Sequence, residues 1–295
     1  MDYPYLLSEI LRGAWMLDVH SSLSFAPFLL QLSEGKSLPE LVEKKSAIKT
    51  MIVTASGHQA ELSSIFDEVP GGSVAIISLS GTMLKSGTLC SWGTTELAQK
   101  LWEAHNHKNI SGIIFDVDSG GGAVNSIAPL TEFMAKKSKP IVGLGDTVGS
   151  AAYYMLSGAN HIMASNSISA AFGSIGVMIS WMDVQPFYEK MGVKFHSIYS
   201  DHSQYKNNAF ELALKDDYSM IKKEMLNPLA IAFQNHVKSM RGSKLNLEVE
   251  GLLSGKMFFA KDALDFGLID SIGDRSRAID KVLELADINQ FLLNS

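Results

Sequence analysis

GLGDTVGSAAYYMLSGANHIMASNSISAAFGSIGVM, residues 143–178, holds a strand end, a turn, a short helix, a second strand and a small-residue loop in one run. Pro140 to Leu144 ends an apolar run, and Gly149-Ser150 makes the turn. Ala151 to Leu156 then reads as a helix that stops near Gly158, and His161 to Ala164 as a strand. Ser150 stands where the strand becomes the helix, so free backbone N–H groups and the positive end of the helix dipole surround its hydroxyl. The small residues that follow leave room for another chain close to that hydroxyl, which is what a serine nucleophile needs. The plainer alternative is that Ser150 caps the helix, since serine is a favoured N-cap.

The same strand–helix unit repeats outward from this stretch. Val74 to Leu79, Ile113 to Val117 and Ile141 to Leu144 are continuous apolar runs, as strands buried on both faces show. Between them, Glu96 to His107 and Asn125 to Lys137 have helical spacing. Further on, Ile175 to Trp181 and Val193 to Tyr199 read as strands and Phe187 to Met191 as a helix. Glu211 to Met240 is helical in period, with Pro228 expected to kink or divide it. Ala260 to Phe266 and Ala278 to Phe291 are the last two helices. Alternation of this kind predicts an α/β fold with a mostly parallel sheet, whose sites lie at the carboxyl ends of the strands. Asp118-Ser119-Gly120-Gly121-Gly122 and the Ser150 turn both directly follow strands, so one edge can hold both.

Residues 1–70 differ. Tyr5 to Leu17 has the spacing of an amphipathic helix, Pro27 interrupts the next apolar run, and Pro70-Gly71-Gly72 closes the segment. The expected organisation is a helical or irregular arm over 1–70, the strand–helix domain over 71–276 and a C-terminal helix over 277–295.

Composition narrows the function classes. The chain has 295 residues, 46% apolar and 19% charged, with a net charge of −6, so nothing argues for nucleic acid as a partner. One cysteine, Cys90, excludes an intrachain disulfide. The start lacks a basic stretch followed by an apolar one, and no run nears the ~20 apolar residues of a membrane span. The expectation is a soluble, cytoplasmic protein. Neither a metal-ligand cluster nor a phosphate loop is present, so no metal and no cofactor is expected.

A serine nucleophile needs a base. None of the eight histidines, among them His105, His107, His161 and His236, stands in a convincing loop of its own. Lys206, in Ser203-Gln204-Tyr205-Lys206-Asn207, is a polar-loop lysine that reads either as a base or as a solvated side chain.

Taken together, Val74 to Asp274 resembles the signal peptide peptidase A family of serine peptidases. Asp118 to Val124 is similar to that family's D/N-S-P-G-G-x-V loop, and Gly149 to Tyr154 to its A-S-G-G-Y-Y nucleophile motif. Phe172 to Val177 is similar to T-G-S-I-G-V, Tyr205-Lys206 to the end of G-x-Y-K, and Gly255 to Gly273 to its tail pattern. The resemblance implies a Clp-protease/crotonase type of fold and a Ser–Lys dyad. Ser150 becomes the nucleophile, Lys206 the general base and Ser174 the group that orients the lysine. Gly121, Gly122 and the N–H of Ala151 become oxyanion-hole and substrate-binding candidates. A lysine base must be neutral, and burial in an apolar cleft lowers its pKa by up to ~3–5 units. Val148, Met178 and Trp181 are candidate walls.

Departures from the pattern are Gly120 for proline, Ala151-Ala152 for glycines and Lys256 for arginine. The Clp branch of the fold places a histidine where this chain has Ile175, which argues against a Ser–His–Asp triad, and the crotonase branch lacks the serine. The seventy-residue head is similar to that of the phage and prophage members, which process scaffold, portal or head proteins. The resemblance therefore implies protein substrates, a homo-oligomeric ring, and host cytoplasm or prohead as the place of action. A cellular peptidase of the same family and a catalytically silent assembly protein are the alternatives.

Overall fold

The computed structural model describes residues 15–17, 48–54, 58–59, 69–87, 91–180, 183 and 185–294. The strands are β1 (Trp15–Leu17), β2 (Thr50–Val53), β3 (Ser73–Ser80), β4 (Ile110–Ser119), β5 (Gly121–Ala123), β6 (Ile141–Gly149), β7 (His161–Ala164), β8 (Ala171–Gly173), β9 (Met257–Phe259) and β10 (Ser271–Ile272). The helices are α1 (Thr94–Asn106), α2 (Ile127–Lys136), α3 (Ala151–Leu156), α4 (Gln185–Lys190), α5 (Asn208–Ala213), α6 (Ser219–Ile221), α7 (Asn227–Arg241), α8 (Ala260–Asp265) and α9 (Arg275–Asn294).

The main sheet runs β10-β7-β6-β4-β3-β2. Its neighbours from β3 to β10 are parallel, and β2 alone on this path pairs antiparallel, with β3. The expected α/β fold with a mostly parallel sheet is therefore what forms. The sheet also reaches back to Thr50–Val53, inside the segment read as an arm. Toward its end β6 changes partner: Val142–Gly145 pairs β7, and Thr147–Gly149 pairs β8.

Alternation along the strands sends neighbouring residues to opposite faces. Ala75, Ile77, Ile113, Phe115 and Ile141 face α1, α2, α3 and α7 through Leu101, Leu130, Phe133, Tyr153 and Phe233. Val74, Ile76, Ile114, Val142 and Leu144 face the other way, where Ala278 and Val282 of α9 cover them. Both faces are buried, which is why these strands read as unbroken apolar runs.

Four details differ from the sequence reading. Of the helix expected over Tyr5 to Leu17, the described part, Trp15–Leu17, is a strand paired with β5, while Tyr5 to Ala14 lie outside the described residues. An available strand edge has overridden helical periodicity there. The strand expected from Ile175 lies earlier, at Ala171–Gly173, because Ser174 takes a positive φ of 53° and turns the chain out of the sheet. Val193 to Tyr199 forms no strand and is exposed throughout. Finally, the long helical stretch divides at residues 214–218, not at Pro228. Pro228 sits in the first turn of α7, where its missing N–H is harmless, and the π-helical turns Lys222–Leu226 precede it.

Candidate active site

Three parallel strands end at one place. Ser119 of β4 is in register with Val148 of β6, and Val148 and Gly149 are in register with Phe172 and Gly173 of β8. The chain leaves the sheet at Ser150 on one side and at Ser174 on the other. Both residues hold a positive φ, 52° and 53°, in a region that non-glycine residues rarely adopt. Hydrogen bonds fix them there: Ser150 N–H donates to the Gly173 carbonyl at 2.9 Å, and Ser174 N–H to the Lys256 carbonyl at 2.9 Å. The turn at Ser150 leads straight into α3, so the N–H of Ala151, first residue of that helix, has no partner within the helix. Ser150 is buried, and its Oγ makes one long contact, 3.4 Å, to the Gly176 carbonyl.

The glycine loop lies against this turn. A Cβ built on Gly149 would stand 3.1 Å from the Gly120 carbonyl oxygen. The Ser119 hydroxyl organises the loop, donating to the Gly81 carbonyl at 2.6 Å and accepting from Gly121 N–H at 3.2 Å. Gly121 has φ 106°, open only to glycine without strain, and Gly122 packs so closely on Met83 that a Cβ would meet its carbonyl oxygen at 2.0 Å. Met83 N–H donates to the Gly121 carbonyl at 2.9 Å, and Ala123 N–H donates to the Met83 carbonyl at 3.0 Å. Residues 121 and 123 therefore face Met83, and strand alternation turns the N–H and C=O of Gly122 to the other edge of β5.

The helix that follows Ser150 is held from behind. Tyr153 is fully buried and its hydroxyl donates to the Leu268 carbonyl at 2.8 Å; burial pushes its phenol well above the ordinary value. Tyr154 stacks on His236 of α7 with centroids 4.0 Å apart, and His236 Nε2–H donates to the Tyr154 carbonyl at 3.0 Å. Burial holds the His236 imidazole below its ordinary pKa.

Beneath this, Arg241 forks onto Asp270 with two bonds of 3.0 Å and donates Nε–H to the Gly267 carbonyl. Lys244 Nζ reaches Asp270 at 2.6 Å, and Ile162 N–H at 2.8 Å. Burial alone would raise the Asp270 carboxyl, but the bonds from Arg241 and Lys244 outweigh it and hold it far below the usual carboxylate range. The tail motif is thus a clamp tying α7 and β7 behind α3. The sequence reading left Arg241 and His236 out of the site; nothing in their spacing announces partners so distant in the chain.

Ser150, Ser174, Gly121, Gly122 and Ala151 are brought to one edge. Lys206 stands apart in an exposed, turn-rich loop, its N–H donating to Ser203. No hydrogen bond joins its ammonium to Ser150 or Ser174. Val148 is buried and Met178 half-buried near the serine's turn, while Trp181 lies outside the described residues. Among the described residues no helix is long and apolar enough to cross a membrane, and no group of three or more potential ligands is placed to hold a metal.

Comparison with known proteins finds relatives of this chain. The chain is 27% identical over 279 residues to Protease 4 of Haemophilus influenzae, covering 88% of this chain and 42% of that protein. It is 27% identical over 267 residues to the chloroplastic serine protease SPPA of Arabidopsis thaliana, covering 88% and 37%. It is 24% identical over 229 residues to Capsid assembly protease C of Escherichia phage lambda, covering 75% and 51%. The chain thus spans about half or less of the length of these three relatives. A solved mutant of the membrane-bound stomatin-specific protease 1510-N superposes with TM-score 0.49 at 13% identity, covering 72% of this chain and 84% of that one. The model of peptidase family S49 matches residues 133–289, which include Ser150, Ser174 and Lys206. That match takes in more than half of the sequence, and the chain belongs to peptidase family S49.

Proposed function

We propose that the chain is a serine endopeptidase in which Ser150 attacks and Lys206 is the base. The observation that carries this reading is the strained turn at Ser150, held beside a glycine loop and a helix N-terminus in a chain of this family. Ser150 Oγ adds to the peptide carbonyl carbon while its proton passes to neutral Lys206 Nζ. The negative oxygen is held by the N–H of Ala151 and by a glycine N–H of the loop. The tetrahedral intermediate collapses, the leaving amine takes the proton from Lys206, and water releases the acyl group by the reverse sequence. Ser174, beside Ser150 in the continuation of the β6–β8 register, is the hydroxyl that would orient the lysine.

Lys206 becomes such a base only when covered. Its own segment supplies a reason for covering: Phe187, Met191, Phe195, Ile198 and Tyr205 are all more than half exposed. Exposed apolar side chains so close together in the chain support an interaction site there. Assembly into a homo-oligomeric ring would bury it and enclose the lysine.

The finer reading is a head-maturation protease acting on scaffold, portal or head proteins; likeness to a phage capsid assembly protease supports it. Likeness to Protease 4 supports a cellular peptidase instead, with the same chemistry and other substrates. Labelling with a fluorophosphonate probe tests the chemistry. Wild type is expected to label and Ser150→Ala is not; a folded wild type that does not label sinks the proposal. Coexpression with candidate head proteins, read by mass spectrometry, separates the two substrate readings.

A further inference from the structure

The edge of β5 that faces away from Met83 carries the N–H and C=O of Gly122, close to the Ser150 turn. An extended peptide adds to an unpaired edge of this kind through main-chain hydrogen bonds, whatever its side chains. In this structure the edge is taken. β1 pairs antiparallel with β5, Trp15 opposite Ala123, Met16 opposite Gly122 and Leu17 opposite Gly121. Among the described residues nothing else pairs with that edge.

The direction of β1 matters as much as its place. It runs from Ala123 toward Gly121, and the next loop residue, Gly120, abuts Gly149 beside Ser150. A substrate lying on β5 with its scissile carbonyl toward Ser150 would have the same polarity. Gly122 N–H, a candidate donor to the reaction's oxyanion, faces β1 as the structure stands. Gly121 N–H is held by Ser119. Ser150 itself is 1% exposed, so a substrate needs room made for it.

We infer that Trp15–Leu17 is a built-in occupant of the substrate edge, competing with peptide for Gly121–Ala123, so that the N-terminal segment must leave before cleavage. The inference rests on the peptidase reading but is tested by binding, which does not depend on turnover. The occupant engages through its main chain, so removing one amide hydrogen is the sharpest perturbation. Met16→Pro does this at the position opposite Gly122, where proline cannot pair.

The experiment uses the full chain with Ser150→Ala, with and without Met16→Pro, and a fluorescein-labelled peptide of residues 12–20. Apparent affinity scales with the fraction of molecules whose edge is free, so the proline chain is expected to bind the peptide about tenfold tighter. Hydrogen–deuterium exchange at the Gly122 amide, the one that faces β1, should rise in the same chain. Equal affinity in the two chains, no binding to either, or unchanged exchange at the Gly122 amide overturns the inference. Failure of the peptidase reading looks different: the chain with native Ser150 takes no fluorophosphonate while the peptide-binding difference persists.

Discussion

Residues 140–178 and residues 185–218 are both rich in apolar side chains, and the molecule treats them oppositely. In the first, β6, α3, β7 and β8 interlock, and Val142, Val148, Tyr153, Leu156, Ile162 and Phe172 are buried. In the second, Ile198 is 94% exposed, Phe195 and Met191 are more than half exposed, and Val193 to Tyr199 has no ladder partner among the described residues. The difference lies in what each segment can pair with inside its own chain. A strand forms when another strand offers its N–H and C=O groups. β6 has β4, β7 and β8 within reach; among the described residues no strand lies beside Val193 to Tyr199. The buried region is finished by the chain alone, and the exposed one keeps its apolar side chains on the surface.

The largest effects should come from breaking the proposed Ser150–Lys206 dyad, which would join the two regions. If the two groups act as one unit, Ser150→Ala and Lys206→Ala should each lower kcat/KM by ~10⁴-fold or more, with the double variant little worse than either. Losses that add in full would separate the exposed lysine from the buried serine chemically and end the dyad.

Next is the clamp behind the buried region. Asp270→Asn leaves Arg241 charged and buried, 3% exposed in its side chain, with its ionic partner gone. Removing one member of such a pair costs ~3–5 kcal/mol. Urea unfolding should report a loss of that size in Asp270→Asn. A loss under ~1 kcal/mol, the range of exposed pairs, would mean the clamp carries no more than a surface ion pair.

A smaller effect follows from pH. Burial lowers the folded-state pKa of His161 and His236, so as pH falls through ~6.5 the unfolded chain takes up protons before the folded one. Their contribution to stability is complete above that value and declines below it, until the folded pKa values are passed. His236→Gln should flatten the decline between neutral pH and pH 5 in urea melts. An unchanged slope would remove the Tyr154–His236 stack from the account of acid sensitivity.

What the sequence made legible follows the same division. α3 and β7 fall at the bounds read from residues 151–156 and 161–164, because a local turn, a short apolar period and a glycine stop define each of them. The Gly121–Gly122 loop and Ser150 were readable as neighbours because both end strands of one sheet. The Arg241–Asp270 fork was not, since its two residues carry no local sign of each other. Neither was β1: Tyr5 to Leu17 has helical spacing, and only the distant edge of β5 makes a strand of its end. Val193 to Tyr199 failed for the converse reason, a strand-like pattern without a strand partner among the described residues.

That last failure sharpens into the smallest effect on stability and the clearest on assembly. Ile198 touches little in the single chain, so Ile198→Lys should leave the urea midpoint nearly unchanged, within the ~0.5 kcal/mol typical of surface substitutions. If the exposed segment is a joint between copies, a charge at its most exposed apolar position must be desolvated on assembly, which is costly without a partner. Light scattering after gel filtration should then show an oligomer for the wild type and a smaller species for Ile198→Lys, with fluorophosphonate labelling reduced in step, since Lys206 shares the segment. An oligomer that survives the substitution would move the joint elsewhere. A wild type that is monomeric yet labels fully would show that Lys206 reaches Ser150 without any second copy, and the contrast between the two regions would then reflect motion of the exposed segment onto the buried one.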